Sequence, residues 1–144
     1  MLGGLIIAAP ASGSGKTTIT LALLRALSRD GVAVAPVKIG PDYLDPAFHQ
    51  AASGQPCINI DPWAMRMDMQ LALANSCEAR GLVIAEGVMG LFDGASAGGG
   101  STADLAVTTG WPVVLVVDAK GMAASAAAVV HGFATYRDDV KLEG

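Results

Sequence analysis

The chain has 144 residues, of which 52% are hydrophobic and only 5% aromatic, and its formal net charge is −4. This length allows one domain with a proper core, and no uncharged apolar run approaches the roughly 20 residues that a membrane-spanning helix needs. The acidic balance gives no general attraction to nucleic acid or anionic lipid, and the N-terminus lacks the basic flank of a signal peptide. We therefore expect a cytoplasmic protein with no nucleic-acid or membrane partner.

Apolar runs and helix-like stretches alternate along the chain. Strands are predicted at residues 4–8, 32–39, 57–60, 82–85 and 113–118, and helices at residues 16–29, 46–53, 64–80, 103–109 and 122–136. This βαβ alternation predicts an α/β fold of three layers, in which helices cover both faces of a mainly parallel sheet. Ligands of such sheets bind beyond the carboxyl ends of the strands, where this chain places its polar loops.

The first loop, residues 9–18, reads APASGSGKTT between the first predicted strand and the first predicted helix. This layout is typical of a P-loop, whose backbone N–H groups and helix N-terminus bind phosphate. Pro10 stands where the G-x-x-x-x-G-K-[ST] pattern has its first glycine, and a glycine-rich turn with a chance lysine is the alternative. The predicted nucleotide-binding residues are Ser12, Gly13, Ser14, Gly15, Lys16, Thr17 and Thr18, with Lys16 on the β/γ-phosphates and the Thr17 hydroxyl on Mg²⁺.

Two carboxylates, Asp42 and Asp45, follow the second predicted strand in the sequence KIGPDYLDP, residues 38–46. Mg²⁺ usually takes one or two carboxylates together with phosphate oxygens and waters, so a loop acid is a sensible partner for Thr17. Alternatively, Asp45 caps the helix that begins at Pro46. Lys38 ends the strand on the ligand side and is a candidate anion-binding residue, with a solvated charge as the alternative.

The third loop, residues 86–94, reads EGVMGLFDG directly after an apolar strand. An acid that closes such a strand beside a P-loop is the Walker B arrangement, so Glu86 is predicted to hold Mg²⁺ directly or through water. Asp93 is a second candidate acid, and a turn with incidental acids is the alternative for both. Asp118 ends the last predicted strand and is as well placed to cap the following helix.

The histidines and cysteines favour structural roles. His49 and His131 fall in predicted helices, while Cys57 and Cys77 lack metal-ligand spacing and are expected to be buried small side chains. Neither cysteine sits on a strand-to-helix elbow with a paired histidine, which argues against nucleophilic catalysis. Ser101 is predicted to cap the helix that follows it.

The quoted loops, with His49 and the segment GSTADLA at residues 100–106, closely resemble the cobyrinic acid a,c-diamide synthase family. The resemblance spans essentially the whole chain and implies a P-loop NTPase-like fold related to dethiobiotin synthetase. It implies an ATP- and Mg²⁺-dependent ligase that amidates the a and c carboxylates of cobyrinic or hydrogenobyrinic acid in cobalamin biosynthesis. ATP would convert each carboxylate into an acyl phosphate, which ammonia then attacks.

The resemblance also implies roles for individual residues. Tyr43 and Leu44 would contact the corrin, and Lys38 would join the nucleotide-binding residues. The implied metal ligands are Thr17, Asp45 and Glu86, and the implied catalytic residues are Lys16, Asp42, Asp45, Glu86 and Asp93.

Ammonia would come from a glutaminase domain that these 144 residues do not contain. We therefore expect a truncated ATP-binding amidoligase domain over residues 1–141. Truncation would expose an apolar edge or face of the sheet, so a homodimer is expected as well. Residues 142–144 could be a cloning remnant.

Two other classes of protein stay open. Another carboxylate-activating ligase, cobyric acid synthase or dethiobiotin synthetase, would use the same kind of nucleotide site. A regulatory partitioning-type ATPase is disfavoured, because that class carries a signature lysine where this chain has Ala11.

Overall fold

The computed structural model describes residues 3–95 and 98–144, and its secondary structure follows the predicted alternation. The elements in chain order are β1 (Gly4–Ala8), α1 (Lys16–Arg29), β2 (Val34–Ile39), α2 (Asp45–Ser53), β3 (Ile58–Ile60), α3 (Met67–Glu78), β4 (Leu82–Glu86), α4 (Thr102–Thr109), β5 (Val113–Leu115) and α5 (Ser125–Thr135). Among these described helices, none combines the length and apolarity that crossing a bilayer requires.

The strands form one parallel sheet in the order β3-β2-β4-β1-β5. The order places β4 between β1 and β2, although β4 follows both in the sequence. In the backbone register Glu86 pairs with Ile7 on one side and with Lys38 on the other. The carboxyl ends of these three strands therefore meet at one edge of the sheet.

Helices cover both faces of the sheet. On one face, Ile7, Val34 and Ile84 pack with Leu24 of α1 and, partly buried, with Ala52 of α2. On the other face, a larger cluster joins inward-facing strand residues to α3 and α4; its members include Ile6, Val37, Ile39, Val83, Ala74, Cys77, Leu105 and Ala106. The α/β class and the three-layer arrangement predicted from the alternation are confirmed.

Helix α4 begins with a capping box. The Ser101 side chain accepts the N–H of Asp104, and the Asp104 carboxylate accepts the N–H of Ser101 at 2.9 Å. The predicted cap at Ser101 is confirmed. Arg137 extends the arrangement, because its guanidinium donates to the Asp104 carboxylate at 2.7 Å.

The last predicted strand and helix are both shorter than expected. Strand β5 ends at Leu115, and α5 begins only at Ser125. Between them Asp118 accepts the N–H of Lys120 at 2.9 Å and the N–H of Met122 donates to Ala119, so this part of the chain turns. The interpretation of Asp118 as a helix cap is wrong, because Ala124 precedes the helix.

The final residues pair with the edge of the sheet. Leu142 forms a parallel bridge with Val113, and the N–H of Glu143 donates to the Val113 carbonyl at 2.9 Å. Leu142 also packs, partly buried, against the larger core cluster. Residues 142–144, considered above as a cloning remnant, thus extend the sheet beside β5.

Candidate active site

The P-loop connects β1 to α1 and is held by its own hydrogen bonds. Gly13 and Gly15 have φ angles of 79° and 94°, in the left-handed region that glycine adopts without steric cost. The Ser14 hydroxyl and the Lys16 ammonium donate to the Ala11 carbonyl at 2.9 and 3.3 Å. Within the described part of the chain, no side chain caps α1. The first N–H groups of a helix are the usual place where an anion binds.

Lys16 begins α1 and is 7% exposed. Burial lowers its pKa from the ordinary value, and the negative charge of Glu86 opposes that shift. Thr17 follows on the same turn, and its hydroxyl donates to Glu86 Oε1 at 2.6 Å. The P-loop lysine and the predicted metal-binding threonine are therefore both close to the acid that ends β4.

Glu86 is 1% exposed and sits at the centre of a buried polar network. Its Oε1 accepts from the Thr17 hydroxyl and from the Lys38 ammonium at 3.2 Å, while its Oε2 is 2.6 Å from His49 Nε2. Burial alone would raise the pKa of Glu86, but the hydrogen bonds from His49 and Thr17 and the charge of Lys38 hold it below its ordinary value. The carboxylate is thus stable as an anion inside the protein.

Strand geometry explains why Glu86 points at these partners. Side chains two residues apart on a strand share a face, so Glu86 lies on the same face as Ile84, which packs with α1 and α2. Thr17 is on α1 and His49 is on α2. The side chains of Glu86, Thr17 and His49 therefore come from elements packed on one side of the sheet.

Lys38 is 2% exposed, so its interpretation as a solvated charge is wrong. Its ammonium is 2.6 Å from Asp45 Oδ2, 3.2 Å from Glu86 Oε1 and 3.7 Å from Asp42 Oδ2. Burial would lower its pKa, but the hydrogen bonds to Asp45 and Glu86 and their negative charges raise it. In this structure Lys38 pairs with three carboxylates, and its predicted contact with a nucleotide stays a prediction.

Asp42, and not Asp45, binds backbone N–H groups at the start of α2. Asp45 lies within α2 and bonds Lys38, so its interpretation as the cap of the helix is wrong. Asp42 instead accepts the N–H groups of Leu44 and Asp45 at 3.0 and 3.2 Å. Burial would raise the pKa of Asp42, but these two hydrogen bonds lower it. The reason is geometric, because α2 begins one residue earlier than its proline predicts.

Asn59 of β3 fixes the loop that carries these acids, and sequence reasoning missed it. Its side-chain amide donates to the carbonyls of Gly40 and Asp42 at 3.2 and 2.7 Å. The available signal was a polar residue between two isoleucines in a short apolar strand.

The remaining predicted site residues lie around the three loops without lining the cleft between them. Tyr43 and Leu44 are 78% and 77% exposed beside the two loop acids. Asp93 is also exposed, and its carboxylate accepts the N–H of Gly90 at 2.8 Å, as the turn interpretation expects. Ser14, Gly15 and Thr18 belong to the P-loop and first turn of α1 without lining the cleft described next.

A cleft of about 200 Å³ opens among the three loops. Its lining residues are Ser12, Gly13, Lys16, Thr17, Lys38, Asp42, Asp45, Glu86, Gly87, Val88 and Met89. The structure thus brings together side chains that are distant in the sequence, such as Thr17 and Glu86 with a separation of 69 residues.

The donors in this cleft suit a hard cation. The Thr17 hydroxyl and the carboxylates of Asp45 and Glu86 supply oxygen atoms, which Mg²⁺ prefers. Within residues 3–95 and 98–144, no three histidine, cysteine or acidic side chains are grouped as a self-sufficient metal site. A cation here would therefore take further ligands from phosphate oxygens and water, as Mg²⁺ does beside a nucleotide.

His49 has a closer relation to the site than sequence reasoning gave it. It is fully buried on α2 and contacts Glu86, while Cys57 Sγ is 3.5 Å from its other ring nitrogen. Its position four residues after Asp45, on the same helix face, was the available signal. His131 is exposed on α5, and Cys77 is buried as predicted.

The sequence of this chain is similar to those of several named enzymes. The chain is 58% identical to the hydrogenobyrinate a,c-diamide synthase of a Sinorhizobium species and 57% identical to that of Rhizobium meliloti, each over 99% of this chain. The hydrogenobyrinate a,c-diamide synthase of Rhodobacter capsulatus is 54% identical over 98% of the chain. The chain spans about a third of the length of these relatives, 33%, 34% and 33% respectively.

The resemblance to a,c-diamide synthases drawn from the three loops is confirmed by these relatives. The family model described as the CobQ/CobB/MinD/ParA nucleotide binding domain matches residues 5–144. The chain therefore belongs to the CobQ/CobB/MinD/ParA nucleotide binding domain family.

Proposed function

We propose that this chain is the ATP-dependent synthetase part of an a,c-diamide synthase, a ligase of cobalamin biosynthesis. It would amidate the a and c carboxylates of a corrin, and the name of the relatives favours hydrogenobyrinic acid over its cobalt-bearing form. The observation that carries the proposal is the contact between the P-loop Thr17 and the buried Glu86 at 2.6 Å. That contact joins a phosphate-binding loop to an acid in the way that phosphoryl transfer requires.

The reaction begins with the γ-phosphoryl group of ATP. A carboxylate oxygen of the corrin attacks the γ-phosphorus, the bond to the β-phosphate oxygen breaks and ADP leaves. Ammonia then attacks the carbonyl carbon of the acyl phosphate, and inorganic phosphate leaves as the amide forms. Such transfers need positioning and neutralisation of charge more than covalent help from the protein.

The residues of the cleft divide this work. The N–H groups of residues 12–18 and the Lys16 ammonium hold the β- and γ-phosphates, with Lys38 as a second buried cation. Thr17, Asp45 and Glu86 would hold Mg²⁺, which when bound neutralises the phosphate oxygens. Asp42 and Asp93 organise the substrate end, where Tyr43 and Leu44 face solvent and are free to contact the corrin.

The partners follow from the chemistry. Ammonia would come from glutamine through a glutaminase domain. The amidoligase domain would cover the predicted residues 1–141 together with residues 142–144, which pair with β5. The protein would be cytoplasmic and tend to form homodimers. A partitioning-type ATPase is less well supported, because Ala11 replaces its signature lysine. Another carboxylate-activating ligase would share the nucleotide end and differ in its acceptor.

The test supplies ATP, Mg²⁺ and hydrogenobyrinic acid with either ammonium or glutamine and follows the products by mass spectrometry. We expect amide formation with ammonium and none with glutamine alone, and no amide from the Glu86→Gln variant. ATP hydrolysis that ignores the corrin would favour a switch ATPase instead. Amidation driven by glutamine would contradict the assignment of ammonia production to another domain.

A further inference from the structure

His49 links the acid of the cleft to a thiol behind it. The imidazole is 0% exposed, and its Nε2 lies 2.6 Å from Glu86 Oε2. Its Nδ1 lies 3.5 Å from Cys57 Sγ, at the residue before β3. The three side chains form a row, from Cys57 just before β3 through His49 of α2 to Glu86 at the end of β4. The proposed function gives Glu86 a role and leaves His49 and Cys57 without one.

The chemistry of the two neighbours defines the hydrogen positions on the ring. An ionised carboxylate only accepts hydrogen bonds, so Nε2 must carry the hydrogen that Glu86 receives. Burial raises the pKa of Cys57 to about 12, and its thiol lies 3.5 Å from Nδ1 and 3.9 Å from the Ile58 carbonyl. A thiol hydrogen directed at Nδ1 makes that nitrogen the acceptor of the pair.

The row decides which way the Glu86 carboxylate faces. With Oε2 held by His49, Oε1 is the oxygen that meets Thr17 and Lys38 at the cleft. Without a donor at Nε2, Oε2 would be a buried charged atom with no hydrogen bond, which costs free energy. The carboxylate would then rotate to find another donor. Holding a ligand carboxylate from behind is the usual task of outer partners in metal sites.

We propose that His49 is a positioning residue, whose Nε2–H holds the Glu86 carboxylate in its productive orientation while the Cys57 thiol fixes the tautomer and angle of the ring. The inference rests on the proposed function, because it gives His49 importance only if Glu86 serves the Mg²⁺–nucleotide complex.

The first experiment measures ATP affinity by calorimetry with Mg²⁺ and again with the metal chelated. The matched variants are His49→Gln, whose amide nitrogen reaches the position of Nε2, and His49→Asn, whose shorter amide does not. Both bury one neutral amide. We expect His49→Asn to reduce the affinity gained from Mg²⁺ by about tenfold to hundredfold, while His49→Gln retains most of it. ATP affinity without metal should be the same in all three proteins.

The outcomes separate the inference from the function beneath it. A wild-type chain that gains no affinity from Mg²⁺ would overturn the proposed function. A wild-type gain that His49→Asn keeps, or that both variants lose equally, would overturn the positioning role alone. Equal loss of metal-free affinity would indicate general misfolding, which denaturant unfolding of each variant checks.

The second experiment reads the tautomer from the wild-type chain and uses one variant only as a supplement. Two-bond hydrogen–nitrogen NMR correlations of the wild-type imidazoles distinguish the two neutral tautomers. We expect His49 to show a protonated Nε2 and a bare Nδ1, and the Cys57→Ala variant to shift the Nδ1 resonance. The exposed His131 gives an internal reference for an averaged ring. A His49 protonated at Nδ1, or averaged like His131, would refute the proposed row.

Discussion

At the scale of single residues, Lys16 and Glu86 differ in how their charges are compensated. Both are buried, and an isolated buried charge is costly unless a partner or a ligand compensates it. Among residues 3–95 and 98–144, Glu86 has three hydrogen-bonding partners, whereas the Lys16 ammonium has one carbonyl contact at 3.3 Å. The uneven arrangement leaves Lys16 as the cation best placed to meet an incoming phosphate.

We expect Lys16→Ala to weaken ATP binding by about 2–3 kcal/mol, because one charge-assisted hydrogen bond to phosphate is lost. Titration calorimetry measures the effect, and the exposed Lys141→Ala variant is the control for a general loss of positive charge. Equal ATP affinity in the wild type and Lys16→Ala would remove the P-loop assignment.

Acid should destabilise the chain in part through Glu86. Its pKa is lower in the folded than in the unfolded chain, so the unfolded chain binds more protons as the pH falls. The stabilisation is complete above the ordinary glutamate pKa of about 4.3 and is lost as the pH drops through the lower folded value.

Denaturant unfolding between pH 7 and pH 3 should therefore show a smaller loss of stability in Glu86→Gln than in the wild type. At neutral pH the same variant should be less stable by about 1–3 kcal/mol, since its amide turns a donor toward another donor. Glu143→Gln, at an exposed position, controls for the charge change. Wild-type and Glu86→Gln curves that run parallel would contradict this account.

Individual elements differ in how firmly they are held. Helix α1 buries three of its residues, and α4 buries four under a capping box, whereas none of the residues of α5 is buried. Phe133 of α5 reaches the core only partly, through its stacking on Phe92. The sequence predicted a helix at residues 122–136, but the looser packing of α5 depends on neighbours that local sequence does not describe.

The capping box gives an element-scale prediction. Ser101→Ala removes the acceptor of the Asp104 N–H and should lower the free energy of unfolding by about 0.5–2 kcal/mol. The matched control is Ser125→Ala at the start of α5, where no side chain caps the helix. Chemical denaturation compares the two, and equal losses would mean that the Ser101 hydroxyl has no special role.

For the whole molecule, the strand order decides what the loops can do together. The sequence predicted the P-loop, the class of fold and the acid at the end of β4, because each follows from a local pattern. It did not predict that β4 lies between β1 and β2, since strand pairing depends on contacts distant along the chain. For the same reason the ion pair between Lys38 and Glu86, which are neighbours in the strand register, was not predicted, and the contact of Lys38 with a nucleotide stays a prediction.

The tail of the chain offers a test at this scale. Leu142 packs partly buried beside β5, so Leu142→Ala should reduce the free energy of unfolding by about 1 kcal/mol, as expected for a few half-buried methylene groups. Glu143→Ala, exposed and next to it, should change little beyond its charge. If thermal and denaturant unfolding were the same for Leu142→Ala and the wild type, the tail would have no part in the fold.

Strand pairing holds Glu86 between Ile7 and Lys38, so the sheet fixes one part of the site. Another part of the site is free to vary. If β4 shifted by one residue, Glu86 would move to the opposite face of the sheet. The part of the cleft around Glu86 therefore tolerates few changes in strand register. Tyr43 and Leu44 project into solvent from the loop next to it and are under no such restraint. Under the proposed function, relatives of this chain would therefore accept a different acid through substitutions at these two exposed positions, while the buried network around Glu86 stays as it is.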